Sequence, residues 1–344
     1  MVWVTAELHV HIEGTLEPEL AFDLARRNSL RLPFGDVDEL RSHYSFNDLR
    51  SFLELYYSCA AVLRSAEDFS DLADAYLDRA RSQGVRHAEI FFDPQSHTSR
   101  GVPLEAVMEG LGESLRRSEE RFGITTGLIA CFLRDRGPQA AMEAFEALLP
   151  HREGIIGVGL DSAEVGWPPS LFADVFARAG AEGLHRVAHA GEEGPADYIR
   201  EALDVLGAER IDHGIRCMED PSVVRRLREE QIPLTVCPLS NVRLRAVDRI
   251  EHHPLAAMAG AGLLVTVNSD DPAYFGGYIG DNYRAIAEGL GLSPADLVDL
   301  ARNSFRGSFL PDAAKDLHLA ELADAEPPAA QHPEGRADLC PGRG

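Results

Sequence analysis

Val4–Val10, which reads VTAELHV, is the first of eight short apolar segments that predict β-strands. The other seven are Arg86–Phe92, Gly127–Leu133, Ile155–Leu160, Arg186–His189, Arg210–Asp212, Pro233–Cys237 and Leu263–Val267. Amphipathic helical patterns separate many of these strands, for example at 104–121, 139–149, 170–181, 196–206 and 221–230. Parallel strands joined by helices commonly close into a ring, so the sequence predicts an α/β fold, specifically a (β/α)8 TIM barrel.

The barrel is expected to occupy residues 1–310 as a single domain, because no change in composition divides this part of the chain. Residues 16–84 are too many for one crossover and contain helical patterns at 17–28, 46–63 and 66–82. This segment is therefore predicted to be a helical insertion that caps the mouth of the barrel. Residues 311–344 form a C-terminal extension rich in proline, alanine, glycine and acidic residues, expected to be largely disordered from about residue 326.

The charge and the cysteine content exclude several classes of protein. With 56 acidic against 33 basic residues, the net charge of −23 opposes binding to nucleic acids or anionic membranes, which require a basic surface. Five scattered cysteines without a CxxC pair, and no signal peptide or long apolar run, indicate a reduced cytoplasmic protein. Lys315 is the only lysine, so the barrel lacks the key residue for Schiff-base chemistry, a P-loop or a lysine-bridged metal pair.

The end of the first strand carries two histidines, His9 and His11. Side chains two residues apart in a strand point to the same side, so these imidazoles suit neighbouring positions on one transition metal. Taken alone, the pair is equally compatible with two ordinary histidines of a half-buried strand. The other strand ends decide between these interpretations.

Polar residues follow four of the predicted strands, at the end of the barrel where active sites of this fold lie. Besides the two histidines of the first strand, they are His189 and Glu192 after the fifth, His213 after the sixth, and Asp270 and Asp271 after the eighth. Each fragment is weak alone, because a single histidine at a strand end more often packs or caps. Their joint placement at one face predicts a site.

Three histidines and one carboxylate give a ligand set for a divalent metal: His9, His11, His189, and either Asp270 or Asp271. This set suits Zn²⁺, with Fe²⁺, Co²⁺ or Mn²⁺ as alternatives, and it leaves a coordination position for water. Bound water ionises near pH ~7 instead of ~15.7. Glu192 and His213 remain beside the metal, and a hydrolase needs two such groups to move protons.

Five motifs together resemble the adenosine/adenine deaminases of the amidohydrolase superfamily, across about residues 5–309. They are AELHVHIEG at 6–14, AHAGE at 188–192, IDHG at 211–214, VCPLSN at 236–241 and VNSDDP at 267–272. The resemblance implies the same barrel and one zinc ion bound by His9, His11, His189 and Asp270. It further implies hydrolytic loss of ammonia from C6 of a small-molecule aminopurine, as in purine salvage.

The resemblance also implies roles for the remaining polar residues. Glu192 donates a proton to purine N1, His213 contacts and helps to activate the attacking water, and Asp271 interacts with N7. Asp270 is expected to be catalytic as well as a ligand. A donor at N1 helps the rate because it acts mainly as charge develops on the ring.

Two acidic residues favour free adenine over adenosine within this resemblance. Nucleoside-specific members usually have aspartate in place of Glu13 and a glycine in the loop after strand four. Here that loop contains Asp161, Ser162 and Glu164, and it resembles the adenine-specific branch. Glu13 and Glu164 would occupy the space of the ribose and accept a hydrogen bond from the N–H that only a free base has. A nucleoside lacks this N–H and would leave the buried acceptors unpaired, so the site would discriminate against it. Asp161, Ser162 and Gly191 are expected to bind substrate with them.

Several alternatives remain open from the sequence. Both acidic residues could face solvent, and the substrate could be an N6-substituted adenine, adenosine or aminodeoxyfutalosine. A metal phosphoesterase that begins with HxH would need more ligands and a basic residue for phosphate. A non-catalytic metal-binding barrel would not need Glu192 and His213. His252 and His253 are expected in a surface turn, and His97 and Arg100 after strand two have no assigned role.

Overall fold

The computed structural model of the chain describes residues 4–46 and 48–325. Its eight β-strands are Thr5–His11 (β1), Val85–Phe92 (β2), Thr125–Leu133 (β3), Gly157–Asp161 (β4), His185–Ala190 (β5), Arg210–His213 (β6), Leu234–Val236 (β7) and Val265–Val267 (β8). Each predicted strand overlaps an observed one. The expected disorder from about residue 326 lies outside the described residues.

The strands follow the order β1 to β8 around one sheet, and each is parallel to the next. The ring closes where Asp270, just after β8, pairs with Val10 of β1. The amide of Asp270 donates to the carbonyl of His9 over 3.0 Å, and the amide of His11 donates to the carbonyl of Asp270, also over 3.0 Å. The prediction of a (β/α)8 barrel is therefore confirmed.

The α-helices of the described chain surround and cover this barrel. They are Pro18–Arg27 (α1), Val37–Ser42 (α2), Leu49–Ala60 (α3), Ala66–Ser82 (α4), Pro94–Thr98 (α5), Leu104–Arg116 (α6), Ser118–Phe122 (α7), Gly137–Leu148 (α8), Ala173–Ala181 (α9), Ala196–Glu201 (α10), Pro221–Glu230 (α11), Pro238–Arg243 (α12), Leu255–Gly260 (α13), Pro272–Phe275 (α14), Ile279–Leu290 (α15), Pro294–Arg306 (α16) and Asp312–Ala325 (α17). Within the described ranges, no helix is both long and apolar enough to cross a membrane.

The segment between β1 and β2 divides into two parts with different positions. Helix α4 packs against β2 and α6, so it is the crossover helix of the barrel and not part of a cap. Its Tyr76 donates a hydrogen bond over 2.9 Å to the buried Glu7 of β1. Helix α3 instead turns Phe52, Tyr56 and Tyr57 toward a cavity at the barrel mouth. The predicted cap of residues 16–84 is thus too long at its C-terminal end.

Helix α17 lies in the extension that the sequence analysis left without helices. It packs against α16, and its Leu322 is buried in the core. The sequence DAAKDLHLAELADA distributes alanine and leucine around the helix instead of along one face. The periodicity that reveals an amphipathic helix is therefore weak there, although the helix docks on the barrel.

Side chains complete the junction between β1 and β8, because β8 has only three residues. The amide of Leu8 donates to Oδ1 of Asn268 over 2.8 Å, and the amide of Ala6 donates to Oγ of Ser304 over 2.8 Å. Both acceptor side chains are fully buried. They satisfy backbone donors of β1 that a longer β8 would have paired.

We expect Asn268→Ala to lower the free energy of unfolding by about 1–3 kcal/mol, because it leaves the buried amide of Leu8 without an acceptor. Urea denaturation followed by circular dichroism measures this change. The exposed Ser170 provides a control, since Ser170→Ala removes a side chain that closes no strand junction. Equal stability of Asn268→Ala and the unmodified protein would show that closure does not depend on this bond.

Candidate active site

A cavity lies at the carboxyl ends of the strands, beneath helix α3. Its roof is apolar and aromatic and consists of Leu49, Phe52, Leu53, Tyr56 and Tyr57. Its wall is polar and includes His11, Asp93, Asp161, Ser162, His189, Glu192, His213, Asp270 and Asp271. The structure therefore brings together predicted site residues from strand ends that are more than 250 residues apart in the chain.

Four of the predicted ligands converge on one point of this wall. Ligand atoms of His9, His11, His189 and Asp270 all lie within 4.8 Å of one another. Oδ1 of Asp270 is 3.4 Å from Nε2 of His9 and 3.5 Å from Nε2 of His11, and the latter is 3.3 Å from Nε2 of His189. Asp270, not Asp271, is the carboxylate of this set.

The donor set fits a divalent metal ion. Nε2 of His9 is buried and makes no hydrogen bond, an unfavourable state for a polar atom unless it has a ligand. Three imidazoles and one carboxylate are ligands that Zn²⁺ prefers, and they leave a position open. Each contributing side chain is at least nine-tenths buried, so an ion there is shielded from bulk water.

The orientation of His9 is fixed from behind by Thr235 and Asp212. The hydroxyl of Thr235 donates to Oδ1 of Asp212 over 2.8 Å and lies 3.0 Å from Nδ1 of His9. Because a hydroxyl has a single proton, Nδ1 of His9 must be the donor in the second bond. The proton of His9 therefore sits on Nδ1, and its Nε2 lone pair faces the other ligands.

Burial and nearby charges shift the pKa values of the neighbouring groups in different directions. Burial, and then the negative charge of Asp270, raise the pKa of Glu192 well above its usual range. Burial, and then the charge of His9, lower the pKa of His213 to about 3. Burial opposes ionisation of Asp270, but His9 and the other histidines hold its pKa well below the usual range. Burial therefore favours the protonated form of Glu192 and the neutral form of His213, while the nearby histidines favour the ionised form of Asp270.

Three residues of the wall have a left-handed backbone conformation that side chains rarely adopt. The φ angles are 68° for Ser162, 61° for His213 and 63° for Asp270. Such conformations cost roughly 1–3 kcal/mol each and concentrate at functional sites. They turn these side chains into the cavity at the carboxyl ends of β4, β6 and β8.

Comparison with known proteins identifies the family. The sequence model described as adenosine deaminase matches residues 5–325. The chain belongs to the adenosine deaminase family. It is 61% identical over 321 residues to an adenine deaminase of Streptomyces coelicolor, which covers 93% of this chain and 94% of that protein. The prediction of an enzyme from this family is confirmed, and the phosphoesterase and non-catalytic alternatives are set aside.

Two solved structures of the family resemble the chain closely. The crystal structure of adenine deaminase from Arthrobacter aurescens has a TM-score of 0.92 and 58% identity, covering 93% of this chain and 98% of that one. An amidohydrolase of Burkholderia ambifaria with bound zinc has a TM-score of 0.87 and 27% identity, covering 94% and 90%. A metal site therefore occurs within this family on the same fold.

Glu164 has a different role from the one expected from the sequence. Its Oε1 accepts the amide of Gly191 over 2.7 Å. Its Oε2 accepts the amides of Glu192, Glu193 and Gly194 over 3.1, 2.8 and 2.7 Å. Because both oxygens are occupied and the side chain does not line the cavity, Glu164 offers no free acceptor to a substrate. It holds the loop that carries Glu192.

Glu13 is also turned away from the cavity, contrary to the sequence expectation. Its Oε1 lies 2.6 Å from Nε2 of His97 and accepts the amide of Asp93 over 3.1 Å. Nη2 of Arg100 lies 2.8 Å from Nδ1 of His97. Burial opposes ionisation, but the hydrogen bond from His97 lowers the pKa of Glu13. His97 and Arg100, which had no role in the sequence analysis, thus hold Glu13 in place.

Two glycines shape the backbone around the polar wall of the cavity. Gly191 has φ 72° and lies behind the wall, so it shapes the loop and does not line the cavity as expected. A Cβ atom at Gly14 would stand 1.9 Å from Oδ1 of Asp271. Only glycine therefore allows Asp271 its position in the wall, where that oxygen is buried without a hydrogen-bond partner.

The roof and some of the residues behind the wall were not predicted from the sequence. Phe52, Tyr56 and Tyr57 recur at a helical spacing in the segment that was predicted as a helix, and this aromatic face was the available signal. Asp93 directly follows β2, where the barrel argument also applies. Asn241 ends the VCPLSN motif but received no role there, and His253 gave no comparable signal.

We expect Glu164→Gln to lower kcat and the free energy of unfolding. The NH₂ group of the glutamine side chain would face backbone N–H donors that bond to a carboxylate oxygen in the unmodified protein. Hydrogen bonds to a charged group contribute about 1.5–3 kcal/mol each, so an effect of this order is expected. Steady-state kinetics and urea denaturation measure both changes. Glu193→Gln, which removes the same charge from the adjacent loop, is the matched control. Unchanged kcat in Glu164→Gln would contradict the role in positioning Glu192.

Proposed function

We propose that this protein catalyses the hydrolytic deamination of adenine at C6, giving hypoxanthine and ammonia, with zinc as its metal. The observation that carries the proposal is the wall of one cavity, where Glu192 and His213 lie beside a three-histidine, one-aspartate cluster that can hold a metal ion. The names of the relatives support the substrate, since adenine deaminases are 61% and 56% identical over more than nine-tenths of this chain.

The metal ligands of the proposal are His9, His11, His189 and Asp270. Zinc held by them would supply the nucleophile, because a bound divalent ion lowers the pKa of water from ~15.7 to about 7. Fe²⁺, Co²⁺ or Mn²⁺ would fit the same donors. The zinc-bound amidohydrolase at 27% identity supports zinc as the first choice.

Glu192 supplies the proton that the ring requires. Addition at C6 pushes electron density onto N1, and the carboxyl proton of Glu192 passes to that atom as the charge develops. The raised pKa of Glu192 supports this role, because the carboxyl must be protonated when substrate enters. Nε2 of His213 lies 3.6 Å from Oε2 of Glu192 and 3.7 Å from Oδ2 of Asp270, so His213 faces the same reacting space.

Asp271 is assigned to N7 of the purine. N7 has only a lone pair, so a carboxyl group that contacts it directly must donate a proton. Burial, and then the charge of Asp270, raise the pKa of Asp271 well above its usual range, which keeps that proton in place. The unpartnered Oδ1 of Asp271 at the cavity wall is consistent with this contact.

The shape and polarity of the cavity favour a flat heterocycle. A purine has two apolar faces and a polar edge, and the cavity has an apolar roof over a polar wall. Glu13 and Glu164 do not line the cavity. Of the residues predicted to recognise the free base, Asp161 and Ser162 remain at this edge. Oδ1 of Asp161 and Oγ of Ser162 are buried without hydrogen-bond partners. We assign recognition of the free-base N–H to Asp161, with Ser162 beside it.

We expect Glu192→Gln to bind zinc and adenine normally but to lose about 10²–10⁴-fold in kcat, because the amide has no acidic proton for N1. Ammonia release, metal analysis and equilibrium binding of adenine measure the three quantities. Glu193→Gln, which replaces the neighbouring carboxyl group, is the control. Turnover at the unmodified rate in the zinc-loaded Glu192→Gln protein would remove Glu192 from the mechanism.

We expect kcat/KM for adenine to exceed that for adenosine by a factor on the order of 10⁴, because a nucleoside leaves a buried acceptor without its N–H. An ultraviolet assay across adenine, N6-methyladenine, adenosine and aminodeoxyfutalosine measures the preference. Comparable values for adenine and adenosine would contradict the assignment of Asp161. A higher value for N6-methyladenine would move the proposal to N6-substituted adenines.

A further inference from the structure

We infer that Asn241 and His253 are positioning residues that fix His213 with its proton on Nε2, so that His213 presents a hydrogen-bond donor to the cavity. The inference rests on the proposed function for its kinetic meaning, although the position of the proton is tested without catalysis. It assigns a role to a histidine that the sequence analysis placed in a surface turn. His253 is in fact buried, with 4% of its surface exposed.

The chain of hydrogen bonds begins at a backbone amide, which can only donate. Leu255 is the first residue of α13, where helix amides have no acceptor within the helix. Its N–H donates to Nδ1 of His253 over 3.1 Å. Burial lowers the pKa of His253 to about 4, so the ring is neutral near pH 7. With Nδ1 accepting, the single ring proton of His253 must be on Nε2.

That proton determines the orientation of the amide of Asn241. Nε2 of His253 lies 3.1 Å from Oδ1 of Asn241 and donates to it. The amide NH₂ of Asn241 is thereby turned to the other side, where Nδ2 lies 3.2 Å from Nδ1 of His213. An amide nitrogen cannot accept a hydrogen bond, so Nδ1 of His213 is the acceptor. Asn241 is fully buried, and water does not offer an alternative partner.

The proton of a neutral His213 is then on Nε2, which faces Glu192 and Asp270 across the cavity. In this tautomer His213 donates a hydrogen bond to the attacking oxygen and orients its lone pair toward C6. It does not take a proton at Nε2, because that nitrogen already carries one. The role includes no proton transfer, and a wrong tautomer would place a lone pair where the donor is needed.

Two substitutions separate this role from simple packing. Asn241→Asp has the same shape but offers acceptors to both histidines, so it favours the Nδ1–H tautomer of His213. His253→Gln retains an N–H donor near the position of Nε2, so it keeps the amide of Asn241 oriented. His253→Met removes that donor without adding an acceptor. It serves as the second perturbing variant if Asn241→Asp does not fold.

Nitrogen-15 NMR of metal-free protein labelled at histidine reads the tautomer directly, with His213→Gln to assign the signals. We expect protonated Nε2 and unprotonated Nδ1 in the unmodified protein and in His253→Gln. We expect protonated Nδ1 in Asn241→Asp and a mixture of tautomers in His253→Met. Protonated Nδ1 in the unmodified protein, or a tautomer unaffected by both perturbing variants, would overturn the inference.

Kinetics on adenine supply the second readout. We expect kcat of Asn241→Asp to fall about 10–100-fold with little change in KM or zinc content, as for other outer-shell partners. We expect His253→Gln to stay within a few-fold of the unmodified enzyme. Equal kcat in both variants would overturn the role in catalysis. If no aminopurine is deaminated by the unmodified protein, the proposed function fails, while the NMR result still decides the tautomer.

Discussion

Two backbone hydrogen bonds between Asp270 and β1 are the constraint on which the site depends. They close the barrel, and they also place the carboxylate of Asp270 beside the two histidines of that strand. The left-handed backbone of Asp270 is maintained by this closure, because both its N–H and its C=O are held by β1. The barrel and the histidine–aspartate cluster therefore share one junction. A loss of closure would separate His9 and His11 from Asp270.

The same principle of paired buried groups extends outward from the junction. His9 is oriented by Thr235 and Asp212, Glu192 is carried on a loop bound to Glu164, and Glu13 is held by His97. Each of these partners is buried, and each satisfies a polar atom that would otherwise be costly to bury. Rigid side chains lose little entropy on binding substrate, so the wall is prepared for a flat ligand before it arrives.

The sequence predicted the barrel and the ligand set because both follow from short-range patterns. Apolar runs mark strands, and residues that end parallel strands must meet at one face, so His189 and one carboxylate, Asp270 or Asp271, could be placed beside His9. The family resemblance was needed to choose Asp270. Spacing does not predict which partners a long side chain reaches. Glu13 and Glu164 lie on the correct loops but extend to histidine and backbone partners that only the folded chain provides. His253 follows His252 before a proline, a pattern typical of a surface turn, yet the turn folds inward and buries only the second histidine.

The four amides that bind Glu164 form a concave nest of the kind that holds phosphate in other proteins. Here the anion is supplied by the chain itself, at an effective concentration that a free anion in solution does not reach. Glu164 thus occupies the nest in place of a free anion, directly behind the loop that carries Glu192. A free anion would find this nest already filled, so the loop that carries Glu192 is held in place by the chain alone, without an added ligand.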